Sequence, residues 1–458
     1  MERQPHFQSE SEDTLERRLS PWQLAMIAMG SAIGVGLFLG SGATIGLAGP
    51  AVLISYLIAA LVALILGYAL AEMATVHPLA GSFGIYADRY LNRWAGYLLR
   101  TTYWFAQALA IGAQVTAVGL YCGYWFPAVP SWIFMASASA LVIGVNAVHI
   151  SFLGSLESVF SILKIAAILA FVAVGAALIA GWGAASLGFR NLTADGGFAP
   201  HGWRGVWLSL TLVITSYIGV EVIAVGAGEA KRPEVSVPRA MLGLVGGLIF
   251  LYLLSVFIVV TVIPWTVLAE TGGSLSGSPF VKVFSLIGIP FAAGIMNLVV
   301  IMSALSGAAT NLYLCTRMLF SLSRAGYVPT VLGNVNRRGV PFPALAASAL
   351  GMGLAVFLAS KGREVFLPLF GTAVAAMLSI WIIILLTHLR FRRRLNADGL
   401  TGLPLKVPFH PFPTLTAILI LLAVLAATPL VAGLEWTVPL FLVWVAMASL
   451  FFRWSLSS

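Results

Sequence analysis

Long apolar runs separated by short polar or basic connections fill the chain from about residue 21 to residue 454. Twelve can be drawn, at about 21–47, 49–76, 95–125, 130–149, 152–181, 203–230, 238–264, 280–312, 342–360, 364–389, 412–431 and 434–454. A helix of ~20 residues rising about 1.5 Å each crosses ~30 Å of hydrocarbon. The pattern therefore predicts an all-α membrane protein with twelve transmembrane helices, the longer ones tilted or extending past the bilayer. Residues 1–19 are polar and read as a cytoplasmic tail, and 20–455 as one transmembrane domain. The first run is too long for a signal-peptide core, and no small-residue cleavage site stands out. The longest outer connection, about 182–202, is too short for a soluble domain.

One run departs from the pattern of a plain span. The first carries glycine at 30, 34, 36, 40, 42, 46 and 49. Glycine inside a helix costs roughly 1 kcal/mol relative to alanine, and it lets the backbone open and other atoms come close. Unwound backbone at membrane depth survives only where it is buried in protein or lines a cavity. Gly34-Val35-Gly36 is therefore read as a break whose freed N–H groups receive a ligand. The stretch has an echo: Ile33-Gly34-Val35-Gly36 is followed, inside the sixth run, by Ile218-Gly219-Val220-Glu221. Paired interruptions at corresponding places in two halves point to a secondary transporter's binding site. Chance, or two close helix–helix contacts, is the competing reading. Runs one to five (about 21–181) and six to ten (about 203–389) form the two expected repeats, with discontinuous helices 1 and 6; runs eleven and twelve (about 412–454) lie outside them.

Composition agrees. Of the 458 residues 60% are hydrophobic and 9% charged, against about 25% charged in soluble domains. The mean hydropathy is +0.98. The net charge of +9 could suggest nucleic acid, but its placement excludes that reading. With the N-terminus inside, only Arg190, Arg204, Lys282, Lys361 and Arg363 fall outside, Lys164 lies in the membrane, and the other basic residues face inward. That is the bias that orients membrane helices. Arg390-Phe391-Arg392-Arg393-Arg394 reads as a topology determinant beside anionic lipid.

Catalytic and metal chemistry find little support. Cys122 and Cys315 offer neither a disulfide framework nor metal spacing. His6, His77, His149, His201, His388 and His410 sit in tails or near span ends, without ligand spacing on one face. The glycines at 34, 36 and 40 follow no strand, so they are no dinucleotide loop. Neither an enzyme nor a cofactor is expected.

Each ionisable group left in the membrane needs a reason, since a charge near the bilayer centre costs about 3 kcal/mol. Lys164, mid-way along the fifth run, is too deep to snorkel. Its functional reading is a proton-coupling site; its structural reading is a lysine held permanently by Glu157, seven residues earlier on the same face. Glu221, beside the second break, could accept from the unwound backbone, contact a substrate amine or hold the break open. Glu229 and Glu72 end their spans and are expected to pair with basic neighbours. Gln107 and Gln114 share one face of the third span, where they either orient a polar substrate or join helices. Ser306, Thr310 and Asn311 are the polar groups of the eighth span that could approach from the second repeat.

These stretches resemble the bacterial amino acid permeases of the amino acid–polyamine–organocation superfamily, in the branch with proline, aromatic amino acid and γ-aminobutyrate permeases. The matching residues are Met29 through Gly42, Ala48-Gly49-Pro50, Glu72-Met73, Gly219-Val220-Glu221, Ala227 through Lys231, Val237 through Ala240, Ser278 through Val281, Arg317-Met318-Leu319 and Arg338 through Pro341. The resemblance implies a five-plus-five inverted repeat and proton-coupled uptake across the cytoplasmic membrane, with both termini inside. It places the substrate carboxylate on the N–H groups of Gly34, Val35 and Gly36, with Ser31 and Ile33 beside them. The amine falls to the carbonyls of Thr215, Ser216, Tyr217 and Ile218. It gives Lys164 the place of the sodium bound in other relatives, with Ser306 facing it. Two departures stand out: Gln107 and Gln114 occupy positions where relatives often carry acids, and Ile218 replaces a glycine and narrows the side-chain pocket. Both disfavour cationic substrates.

The expectation is thus a proton-driven importer of a neutral amino acid. An exchanger or a polyamine carrier of the same fold is the alternative, and a membrane enzyme or sensor the contrasting class. The expected partners are the amino acid, the proton and the lipid bilayer. Neither the particular amino acid nor the oligomeric state can be read from the residues.

Overall fold

Ser20 opens the first helix of the bundle. Its hydroxyl accepts from Gln23 N at 3.2 Å while the Gln23 side chain accepts from Ser20 N at 3.1 Å, and Pro21 follows at the first helical position. Two orphan donors are satisfied and the helix is fixed at one residue. The computed structural model of the protein describes residues 19–38, 40–77, 82–148, 150–181, 188–227, 230, 232–270, 278–286, 291–361, 363–397 and 405–457. Residues 1–18 of the expected tail, together with His149, Glu229 and Lys231, lie outside the described residues.

The elements are α1 (Pro21–Ala32), α2 (Val35–Phe38), α3 (Gly40–Ala48), α4 (Val52–Val76), α5 (Ser82–Tyr90), α6 (Arg93–Cys122), α7 (Ser131–Asn146), α8 (Ile150–Ile179), α9 (Gly202–Val213), α10 (Val222–Gly226), α11 (Pro233–Val262), α12 (Trp265–Glu270), α13 (Pro279–Leu286), α14 (Ala292–Arg324), α15 (Phe342–Ala359), α16 (Arg363–Ala397), α17 (Phe412–Ala427) and α18 (Thr437–Ser457). The fold is all-α, and among the described residues the one β-type contact is an isolated bridge between Leu19 and Ala230. Among the described residues, eleven helices or helix pairs are long and apolar enough to cross a membrane. The run at 130–149 folds as the 16-residue α7, shorter than those eleven. The run at 280–312 is displaced: its long helix begins at Ala292 and continues to Arg324. The basic residue in the last turn complements the helix dipole, so the helix carries on beyond the apolar stretch.

Apolar side chains face both ways. Leu350, Leu419, Leu450 and Phe250 are exposed, where a soluble protein would present charge and a bilayer presents hydrocarbon. Inside, α14 packs along α6, α4 along α11, α1 along α8, and α3 along α9.

Two polar knots tie helix ends beside the basic connections. In one, Glu72 on α4 accepts from His388 Nε2 at 3.0 Å and from the Val407 backbone N–H, and Arg392 Nη1 lies 3.5 Å away. Pairing of Glu72 with basic neighbours was expected. His388 was expected near a span end with no assigned partner; it is instead fully buried on α16, its ring 5.1 Å from that of His410. In the other knot, Arg100 on α6 is buried and pairs with Asp88 on α5, while also donating to Ser321 Oγ on α14 at 3.1 Å and Gly96 O at 3.1 Å. The Tyr327 hydroxyl donates to Asp88 at 3.3 Å, and its ring lies 5.4 Å from the guanidinium. A guanidinium removed from water needs several partners at once, and Arg100 has them.

Candidate functional site

The first helix stops where the glycines begin. Ile33 N still donates to Met29 O at 2.9 Å, but Ile33 itself leaves the helical region (φ −75°, ψ 81°) and Gly34 N turns back to Ala32 O at 2.9 Å. Helix resumes as the single turn of α2, which begins with Val35 and Gly36, whose N–H groups have no i−4 acceptor within that turn. Gly34's N–H is thus occupied in this conformation.

The second break mirrors the first. α9 tightens into a 3₁₀ turn over Ile214–Tyr217, Ile218 is extended (φ −62°, ψ 129°), and Gly219 has φ +121°, a conformation side-chain-bearing residues rarely adopt. Helix restarts at Val222. Ile218 N donates to Thr215 O at 3.3 Å, and Thr215 Oγ1 to Leu212 O at 2.6 Å.

The breaks touch each other. A Cβ on Gly36 would lie 3.3 Å from Ser216 Cα, and a Cβ on Gly219 2.8 Å from Ala32 N. Each interruption uses a glycine to admit the backbone of the other. Tyr252 on α11 donates to Ala32 O at 2.6 Å, satisfying a carbonyl that the break leaves at the end of α1. The Tyr217 hydroxyl donates to Tyr56 O at 3.2 Å.

Glu221 takes up the freed backbone of the second break. It accepts from Gly219 N at 3.1 Å (Oε2) and 3.3 Å (Oε1), and its Oε1 also accepts from the Tyr103 hydroxyl at 3.1 Å. Of the three roles open to it, the backbone acceptor is the one it fills here.

Lys164 lies on the far side of α1. Fully buried, it donates to Gly30 O at 2.6 Å and to Ser306 Oγ at 2.8 Å, and Ser306 donates to Glu157 Oε2 at 2.5 Å. Ser161 Oγ on the same helix donates to Met26 O at 2.8 Å.

The two breaks lie inside stretches long and apolar enough to cross a membrane, 21–38 and 202–226. A family model described as amino acid permease matches residues 23–452, nearly the whole chain. The chain belongs to the amino acid permease family. It is 40% identical over 402 residues to an uncharacterized amino acid permease, YtnA, of Bacillus subtilis (strain 168), covering 87% of this chain and 86% of that one. It is 36% identical over 415 residues to the "probable threonine/serine transporter YbxG" of the same organism, covering 90% and 88%. It is 35% identical over 437 residues to the aromatic amino acid transport protein AroP of Salmonella typhimurium (strain LT2), covering 94% of each. The protein is a multi-pass membrane transporter and not an enzyme.

In this permease the sequence-predicted residues divide into groups. Gly36 approaches Ser216 and Ala32 approaches Gly219 at the crossing of the breaks, with Ser31, Ile33, Gly34 and Val35 on the same stretch of the first break and Thr215, Tyr217, Ile218 and Glu221 on that of the second. Gln107 is buried on α6, one turn from Tyr103. Gln114 instead accepts from Asn311 Nδ2 on α14 at 3.2 Å, the helix-joining role. Lys164 and Ser306 form a separate cluster behind α1.

Sequence reasoning missed two contributors. Tyr103 stands four residues before Gln107 and looks like any aromatic in a span. Trp381, fully buried on α16, packs with Ile214, Ile218, Val374, Met377 and Leu378 around a gap too narrow to admit a water molecule. Its only sequence signal was a lone tryptophan amid branched aliphatics.

Proposed function

We propose that the permease imports a neutral amino acid by proton symport, using alternating access across the cytoplasmic membrane. The observation that carries this reading is the meeting of two interrupted helices in the membrane core. Half-helix N-termini favour an anionic group, and unwound carbonyls favour a cation. A zwitterion presents both, spaced by one carbon. The carboxylate would take the N–H groups of Gly34, Val35 and Gly36, Gly34 exchanging its turn to Ala32 O for the ligand. The ammonium would take the carbonyls of Thr215 to Ile218.

A neutral, apolar side chain suits the lining. The packing beside Ile218 is of aliphatic carbons, Met377 and an indole, and Glu221 is committed to Gly219 and Tyr103. The aromatic and threonine/serine names of two relatives agree with a neutral substrate. In the same reading α7 is a twelfth span, the helices form two inverted repeats of five, both termini face the cytoplasm, and Lys164 with Ser306 couples the proton.

The deciding experiment is uptake into proteoliposomes empty of substrate under an imposed pH gradient, inside alkaline, with a competition panel of the natural amino acids. Accumulation against a concentration gradient, competed by neutral amino acids, is the expected result. Counterflow without gradient-driven accumulation would make the protein an exchanger. Competition by polyamines or cationic amino acids would make it a cationic carrier. In Lys164→Ala, uptake loses its dependence on the pH gradient; a normal pH profile would refute that assignment.

A further inference from the structure

We infer that Glu157 is a second proton-holding group of this permease, sharing the transported proton with Lys164 through the hydroxyl of Ser306. The inference rests on the reading of Lys164 as the coupling lysine and adds a partner to it.

The geometry is a three-member chain. Lys164 Nζ donates to Ser306 Oγ at 2.8 Å, and Ser306 Oγ donates to Glu157 Oε2 at 2.5 Å. All three side chains have zero solvent exposure. Glu157 and Lys164 both stand on α8, two turns apart on one face, and Ser306 reaches between them from α14. The serine is donor to one end and acceptor from the other, the arrangement that passes a proton along a wire.

Beyond Lys164, the groups around the Glu157 carboxylate are neutral hydroxyls: Ser306 donates to Oε2, and the Thr310 hydroxyl stands beside the carboxylate. Among the described residues, the one charge acting on Glu157 is that of Lys164, and the reverse. α1 contributes the carbonyls of Met26 and Gly30, α14 the hydroxyls of Ser306 and Thr310, and α11, packed against both α1 and α8, the Tyr252 hydroxyl bonded to Ala32 O. The two charged groups at this junction are Glu157 and Lys164. Gly30 keeps the cluster closed, since a Cβ there would run into Glu157 Oε2 and lie 2.7 Å from Ser161 Oγ.

The step balances without another reactant. One N–H bond of the Lys164 ammonium breaks as its proton passes to Ser306 Oγ. The original Ser306 O–H breaks and its proton forms an O–H bond on Glu157 Oε2. The ammonium becomes an amine, the carboxylate becomes an acid and the serine is unchanged. The pair passes from two opposite charges to none, which a low-dielectric interior favours because desolvating an ion pair is costly. Lys164 is also bonded to Gly30 O, three residues before Ile33, so movement of the end of α1 acts directly on the wire.

The test is the pH profile of gradient-driven uptake in proteoliposomes, for wild type, Glu157→Gln, Glu157→Asp, Ser306→Ala and Lys164→Ala. An opposite charge this near changes a proton's affinity by about one to three pH units. Glu157→Gln should therefore move the half-maximal pH toward acid by about one unit or more, and Glu157→Asp should recover part of the shift. An unmoved midpoint in Glu157→Gln, at full rate or at a uniformly lower one, overturns the inference and leaves Glu157 a structural acid. Should Glu157→Gln fail to fold, Ser306→Ala decides: removing the bridge must move the profile, and an unmoved one overturns the inference. If wild type itself shows no gradient-driven uptake, the symport reading fails first. If Lys164→Ala abolishes the pH dependence while Glu157→Gln keeps the wild-type profile, only the sharing with Glu157 is wrong.

Discussion

Gly36 faces Ser216 from a different helix, both beside the points where their helices give up their hydrogen bonds. Only hydrogen fits on Gly36 without displacing something, since a Cβ would sit 3.3 Å from Ser216 Cα and 3.4 Å from Ser216 Oγ. Closing this gap fills the space between the breaks and leaves the rest of the bundle alone. In Gly36→Val, uptake should fall by about tenfold or more, equivalent to at least ~1.4 kcal/mol of lost transition-state binding, while the detergent-purified protein elutes at the wild-type volume. Size-exclusion chromatography and initial-rate uptake together check this.

Gly219 is constrained twice, by its φ of +121° and by Ala32 N, 2.8 Å from where a Cβ would lie. Strained backbone of this kind costs about 1–3 kcal/mol per residue. Gly219→Ala should therefore lower the melting temperature by several degrees and reduce uptake as well, measured by thermal melting and transport on the same preparation.

Glu221 accepts from Gly219 N and from Tyr103. Glu221→Leu removes that acceptor and leaves a buried N–H unpaired, at a cost of about 1–3 kcal/mol. Tyr103→Phe removes one donor and leaves the N–H contact, so it should cost less. Melting temperatures of the two variants should fall in that order; the reverse order would mean that the hydroxyl, rather than the backbone, fixes Glu221.

Much of this site was legible because breaking a helix in lipid needs unusual residues. Glycine runs at 34–36 and 219, an acid at 221 and a lysine at 164 are all anomalous in apolar spans, and each marks a place the structure makes special. What stayed hidden had ordinary chemistry for its setting. Tyr103 is one aromatic among several in its span, and Trp381 a lone tryptophan amid branched aliphatics. Arg100 was counted as an inward-facing charge, yet it is buried, because its partner Asp88 lies on α5, which no apolar run announces. The helix over residues 292–324 was misplaced for a related reason: basic residues that end a hydrophobic run do not end a helix.

The Arg100–Asp88 pair predicts a coupled stability effect. Breaking a buried pair strands the remaining charge, at about 3 kcal/mol or somewhat less here, since Asp88 is partly exposed. Arg100→Leu and Asp88→Leu should each destabilise, and the double variant should be less destabilised than the sum. A double-mutant cycle of melting temperatures tests the pairing.

Acid should weaken the ends of the bundle. Burial pushes His77 down to about 4 from its ordinary 6.5, with Arg89 adding to the effect, and burial with His388 and Arg392 does the same to His410. A folded state that holds these rings neutral binds fewer protons than the unfolded chain. The stability they permit is present in full above about 6.5 and is lost progressively as pH falls toward about 4. Melting temperature should drop across that window, and His77→Gln with His410→Gln should flatten the drop.

Glu72 joins α4, α16 and the Val407 segment in one buried knot. Separating the inner ends of α4 and α16 would strand that carboxyl away from water, so the two helices travel as a single piece. In the proposed alternating-access cycle the hinge would then fall on segments with no such fastening, and the unwound turns at 33–34 and 218–219 are already bent.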